Sequence, residues 1–167
     1  EIIFFRSLVA SFLMFSYSRF SKTQGVLKSH DPKTQIGRGV LGFFQLYFLY
    51  LSFVVLPMAD ATALSFATTL FVTALSVPFL KEKVGRVRWM ATLLGFIGVL
   101  VILKPTGMMD TKGAISALLS SVLEALVMLY ACRLGKKDKA FTTVFYYTGI
   151  TCLLAALTLP FVWVTPT

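Results

Sequence analysis

Glu124 is the residue in this sequence best placed to do chemistry. It sits about midway along an apolar run from Gly113 to Cys132. An acid at such depth in a membrane costs about 2.5–3.5 kcal/mol on insertion scales, so it is expected to face the protein interior. At helical spacing it shares a small, partly polar face with Ser116, Ala117, Ser120, Ser121 and Met128. A carboxyl group held there can exchange a proton, the chemistry of a proton-coupled carrier. The plainer reading is a protonated acid hydrogen-bonded to a neighbouring helix, with no part in transport.

Arg6 lies about 7–8 Å inside the first apolar run at a helical rise of about 1.5 Å per residue. It is either a cation in a substrate path or a partner for Glu124, or a side chain snorkelling to the outer headgroups. Glu82 lies among Lys81, Lys83, Arg86 and Arg88. It is a gate or substrate contact at an inner mouth, or a local ion pair that fixes a tight turn. Asp60 reads as the N-cap of the helix that follows it.

Hydroxyls form the third set. Thr62, Ser65, Thr69, Thr73 and Ser76 recur at spacings of 3, 4, 4 and 3, one stripe along a helix. In lipid such a stripe must meet other helices or a wet cavity. Gln45 and Ser52, seven apart, share a face and can extend it. Tyr147, Thr151, Ala155 and Thr158 make another polar and small face, on which Tyr146 and Tyr147 either stack on a flat solute or pack in a core. Gly95 and Gly98 read as close-packing positions. Cys132 and Cys152 lack metal-ligand spacing and read as small packing residues. His30 reads as solvated. The sequence shows no nucleophile–base pair, metal-ligand cluster or phosphate-binding glycine loop. It therefore reads as no enzyme, with no cofactor and no metal.

The elements that must position these residues are membrane spans. Of the 167 residues, 57% are hydrophobic and 14% charged, whereas a soluble domain carries about 25% charged residues. The apolar residues come in blocks of about 20, enough to cross a ~30 Å hydrocarbon core. Six spans are expected: Ile2 to Phe20, Gly39 to Pro57, Ala61 to Leu80, Val87 to Leu103, Gly113 to Cys132 and Phe141 to Val164. The fold class is an all-α polytopic transmembrane bundle.

The net charge of +9 suggests nucleic acid until it is mapped. The loops after the first, third and fifth spans hold 13 Lys and Arg, and those after the second and fourth hold 2. That alternation follows the positive-inside rule, with the first span running outside to inside. It places loops 21–37, 81–88 and 133–140 in the cytoplasm. These bases hold topology, and no nucleic-acid partner is expected. Trp89 and Trp163 fall at span ends, where aromatic belts form.

One stretch carries a family resemblance. Pro57-Met58-Ala59-Asp60-Ala61-Thr62-Ala63, the Pro78-Phe79-Leu80-Lys81-Glu82-Lys83 end and the Gly95-Phe96-Ile97-Gly98-Val99 helix closing on Lys104-Pro105 together resemble an EamA-type transporter of the drug/metabolite transporter superfamily. The resemblance implies ten helices in two inverted five-helix repeats, of which these six are similar to the second through seventh. Residues 1–105 would then be most of the first repeat, without its first helix, and 113–167 the start of the second. The chain would be a fragment of a longer protein. Inverted repeats place a substrate site at their interface near the midplane.

The expectation is a secondary transporter in a bacterial inner membrane, working by alternating access, proton-coupled or by exchange. Its partners are the lipid bilayer and a small organic metabolite, amino-acid-like compound or drug. The pathway residues expected are Arg6, Gln45, Ser52, Thr62, Ser65, Thr69, Thr73, Ser76, Ser120, Glu124, Tyr147 and Thr151, with Glu82 at the inner mouth. The alternative is a non-transporting membrane protein, either a membrane-embedded enzyme or a scaffold.

Overall fold

The computed structural model describes residues 2–20, 31–80, 85–103, 110–135, 138 and 140–162. Among them the chain forms seven α-helices: α1 (Ile2–Phe20), α2 (Pro32–Val55), α3 (Met58–Ser65), α4 (Ala67–Leu80), α5 (Arg86–Leu103), α6 (Thr111–Gly135) and α7 (Ala140–Val162). Four stretches are long and apolar enough to cross a membrane: Pro32–Val55, Met58–Phe79 taken through the α3–α4 join, Thr111–Gly135 and Ala140–Thr158. The polytopic helical bundle is thus as expected. His30, Glu82, Lys104, Trp163 and most of the first and third loops lie outside the described residues.

Local sequence explains where the helices begin. α2 starts seven residues before Gly39, so residues 32–37 are helix and not loop. Asp31 holds the cap position, with its carbonyl accepting the Gln35 N–H at 3.2 Å, and Pro32 opens the first turn, where its missing donor costs nothing. Polar residues in these first turns hid the start. Pro57 separates α2 from α3 and is itself the N-cap, its carbonyl accepting the N–H groups of Asp60 (3.0 Å) and Ala61 (3.1 Å). Asp60 is therefore inside the first turn of α3, buried, and not the cap expected of it. Asp110 caps α6: its Oδ1 accepts the Lys112 N–H at 2.8 Å.

The third expected span is two helices. At Phe66 the ladder tightens, with the Thr69 N–H reaching the Phe66 carbonyl at 3.2 Å, three residues back. There is no glycine or proline at the break. Instead, hydroxyls compete for its carbonyls: Ser65 donates to Thr62 O at 2.7 Å and Thr69 to Phe66 O at 2.7 Å. Such back-bonding bends helices.

The chain divides into two compact units. One comprises residues 1–43 and 130–167. In it α1 packs on α7, and the start of α2 meets α7 through glycines. A side chain at Gly39 would strike Ile150 Cβ at 2.7 Å, and one at Gly42 the Tyr147 hydroxyl at 2.8 Å. The other unit comprises residues 44–129. Its core joins Leu56, Ala61 and Ala117, flanked by Phe53 and Leu64. Gly113 lets the start of α6 close on Leu56, whose Cγ lies 2.6 Å from where a Cβ would be. α5 packs on α3 and α4 through half-buried Trp89, Thr92 and Phe96. Gly95 and Gly98 are exposed on α5, with nothing within 4 Å of an added Cβ. The close packing expected of them is not found among the described residues.

Candidate functional site

In the unit of residues 44–129, Glu124 is half-buried on α6, and its Oε2 accepts a hydrogen bond from Thr68 Oγ1 at 3.1 Å. One turn earlier on the same helix face, Ser121 Oγ donates to the Leu64 carbonyl at 3.1 Å and shares its proton with Ala117 O at 2.9 Å. Leu64 and Thr68 are one turn apart and straddle the break at Phe66. The two links thus pin α6 to both halves of the broken helix. In an unbroken helix Thr68 would return its hydroxyl to the Leu64 carbonyl. Here Ser121 takes that carbonyl and Thr68 turns to Glu124. Thr68 lies one position off the expected stripe, and sequence reading missed it.

The α6 face is as expected over Ser116, Ala117, Ser120 and Ser121, all buried, but it continues through Ala125 and Leu129. Met128 is exposed. With 3.6 residues per turn, position 129 follows 125 on the buried side.

All five stripe hydroxyls bond their own helix. Thr62 donates to Met58 O (2.8 Å) and Ala59 O (2.9 Å), Ser65 to Thr62 O, Thr69 to Phe66 O, Thr73 to Thr69 O (2.9 Å) and Ser76 to Thr73 O (2.8 Å). Thr73 also meets Thr92 Oγ1 of α5 at 3.5 Å. Thr73 and Ser76 are buried, Thr62 and Ser65 half-buried and Thr69 exposed. On α2, Gln45 and Ser52 are both buried, and Ser52 donates to Leu49 O at 2.7 Å.

In the unit of residues 1–43 and 130–167, Arg6 is exposed on α1. Thr151 is buried and donates to Tyr147 O at 2.7 Å. Tyr147 lies under Arg38, whose guanidinium carbon is 4.6 Å from the ring centroid. Arg38 Nη1 donates to the Thr143 carbonyl at 3.0 Å. Gln35 is fully buried and donates from Nε2 to Asp138 Oδ2 (3.1 Å) and Thr143 Oγ1 (3.3 Å). Of this cluster the sequence reading named only Tyr147. Arg38 had been counted as a topological base. The signal was present in Gln35, Arg38, Gly39 and Gly42, a polar and small face at helical spacing, once α2 is known to begin at Pro32.

Apolar helices pinned by sparse internal hydrogen bonds, with an acid inside one of them, define a polytopic membrane protein. Residues 1–104 match the model of the EamA-like transporter family, and the chain belongs to that family. Over 167 residues it is 27% identical to an S-adenosylmethionine uptake transporter of Rickettsia bellii, covering 100% of this chain and 57% of the relative. It is 28% identical over 164 residues to the pseudopaline exporter CntI of Pseudomonas aeruginosa, covering 98% of this chain and 56% of that one. Solute carrier family 35 member G1 of Mus musculus is 28% identical over 160 residues, covering 88% and 44%. The chain thus spans a little over half the length of the bacterial relatives. No solved structure matches it.

Proposed function

We propose that this chain is part of a secondary transporter that moves a small organic solute across a bacterial inner membrane by alternating access. The observation that carries the reading is Glu124, an acid within an apolar helix, hydrogen-bonded to Thr68 beside a break in the facing helix. Broken helices and buried acids recur where membrane carriers bind ions and substrates. The family's relatives include both an uptake transporter and an exporter by name, so transport in either direction is compatible with this architecture.

In this reading residues 1–105 supply most of one repeat and 113–167 begin the second. The stretches 21–37, 81–88 and 133–140 lie on the cytoplasmic side. Glu124 carries the coupling proton. Its Oε2 accepts the Thr68 hydroxyl, which ties the acid to the broken helix. The stripe from Thr62 to Ser76, with Gln45, Ser52 and Ser120, lines the path in one unit. Arg6, Tyr147 and Thr151 are the pathway residues proposed in the other unit, and Glu82 is the proposed inner-mouth glutamate. The carried solute belongs to the class of S-adenosylmethionine-like or other amino-acid-like metabolites.

The test is solute flux in liposomes carrying the full-length protein, with and without an imposed pH gradient. Wild-type uptake should follow the gradient. Glu124→Gln should fold, bind solute and lose that dependence. Unchanged proton-coupled uptake by the variant would remove Glu124 from the mechanism. Absence of flux for every solute tried would favour a non-transporting membrane protein.

A further inference from the structure

The cluster where α2 and α7 begin is used neither by Glu124 nor by the hydroxyl stripe, and its hydrogen-bonding capacity is only partly spent. Arg38 holds its guanidinium over Tyr147 and uses Nη1 on the Thr143 carbonyl. Its Nε is buried without a partner, and among the described residues no acceptor meets Nη2. The unused Nε–Nη2 edge is one that grips a carboxylate through two parallel hydrogen bonds. Gln35, three residues earlier on the same helix face, commits Nε2 to Asp138 and Thr143. Its Oε1 is buried and has no donor.

A charged donor edge and a bare acceptor thus belong to residues one helical turn apart, in a cluster whose other members hold them in place. Stacking on Tyr147 fixes the guanidinium plane, and Gly42 lets that ring lie against α2. Buried polar atoms are nearly always paired, so two orphans in one cluster mark a missing group. One chemistry answers both: a carboxylate for Arg38 with an adjacent N–H or O–H for Gln35 Oε1.

We propose that Arg38 and Gln35 bind the amino- or hydroxy-carboxylate end of a solute. This rests on the transporter reading in taking that solute to be the one carried. The competing occupant is a single water, donating to Gln35 Oε1 and accepting from Arg38 Nε.

The experiment reads binding rather than flux, so it fails separately from the transport assay. The full-length protein is purified in detergent and its melting temperature followed with the standard L-amino acids, L-lactate and S-adenosylmethionine. Each stabilising probe is repeated as its carboxamide. At least one carboxylate should stabilise the protein, and its carboxamide should bind roughly tenfold more weakly or not at all. Arg38→Lys, which keeps the cation but lacks the fork, should weaken the carboxylate by a similar factor. Gln35→Met should weaken amino-bearing probes. If Arg38→Lys melts early without ligand, the carboxamide comparison on the wild type decides alone. Stabilisation by no carboxylate would leave water as the occupant and overturn the proposal. So would equal binding of acid and carboxamide, or an Arg38→Lys protein that binds unchanged.

Discussion

Ser65 and Thr68 are neighbours on one span and commit their hydroxyl protons differently. Ser65 returns its proton to its own helix, whereas Thr68 hands it across to Glu124. Thr68→Val should therefore cost about 1 kcal/mol of stability, the net worth of one hydrogen bond, and, on the proposed transport reading, shift the pH dependence of flux. Thr68→Ser should restore both, read by melting temperature and by transport against external pH. Ser65→Ala should leave the pH profile where it is. Glu124 was legible in the sequence because an acid in an apolar run is hard to overlook. Its partner was not, since Thr68 lies off the stripe and donates across beside the break at Phe66, which no residue pattern announces. Arg38 was hidden for another reason: near a span end, a structural cation and a topological one look the same.

At the scale of elements, apolar run length predicted six spans, of which four are long and apolar enough to cross a membrane among the described residues, and the ends and the break depended on local competition. The Asp31-Pro32 pair moved the start of α2 outward, and back-bonding hydroxyls split the third span without a glycine or proline to announce it. Amides from Phe66 to Thr69 should accordingly exchange with deuterium faster than those from Ala117 to Ala125 in the same nanodisc-embedded protein. Equal protection would mean the join is as stable as a continuous helix. Glycine positions give a paired test. Gly42→Ala drives a methyl into the Tyr147 ring and should cost about 1–3 kcal/mol, the usual penalty of overpacking. Gly95→Ala meets open space and should change the melting temperature little or raise it, since alanine favours helix. The pattern Gly-Phe-Ile-Gly predicted packing for both α5 glycines, but a spacing alone does not say which side of a helix has a neighbour.

For the whole molecule, the uneven distribution of Lys and Arg carries the orientation, and Cys132 provides a way to read it. It is exposed at the end of α6, beside Arg133, whereas Cys152 is half-buried within α7. A membrane-impermeant maleimide should label Cys132 in inside-out vesicles and not in intact cells. Labelling from outside would reverse the topology. Membership of the EamA-like transporter family was legible because its motifs fall at the ends of the apolar runs and within them. The hydroxyl stripe has one more consequence at this scale. Each of its five oxygens has already given its hydrogen to a backbone carbonyl, so what remains outward is lone pairs. Where Thr73 meets Thr92 Oγ1 at 3.5 Å, either hydroxyl can be the donor. A solute touching this strip finds only acceptors and must bring its own hydrogens, which favours ammonium and N–H groups and repels anything that presents bare oxygen.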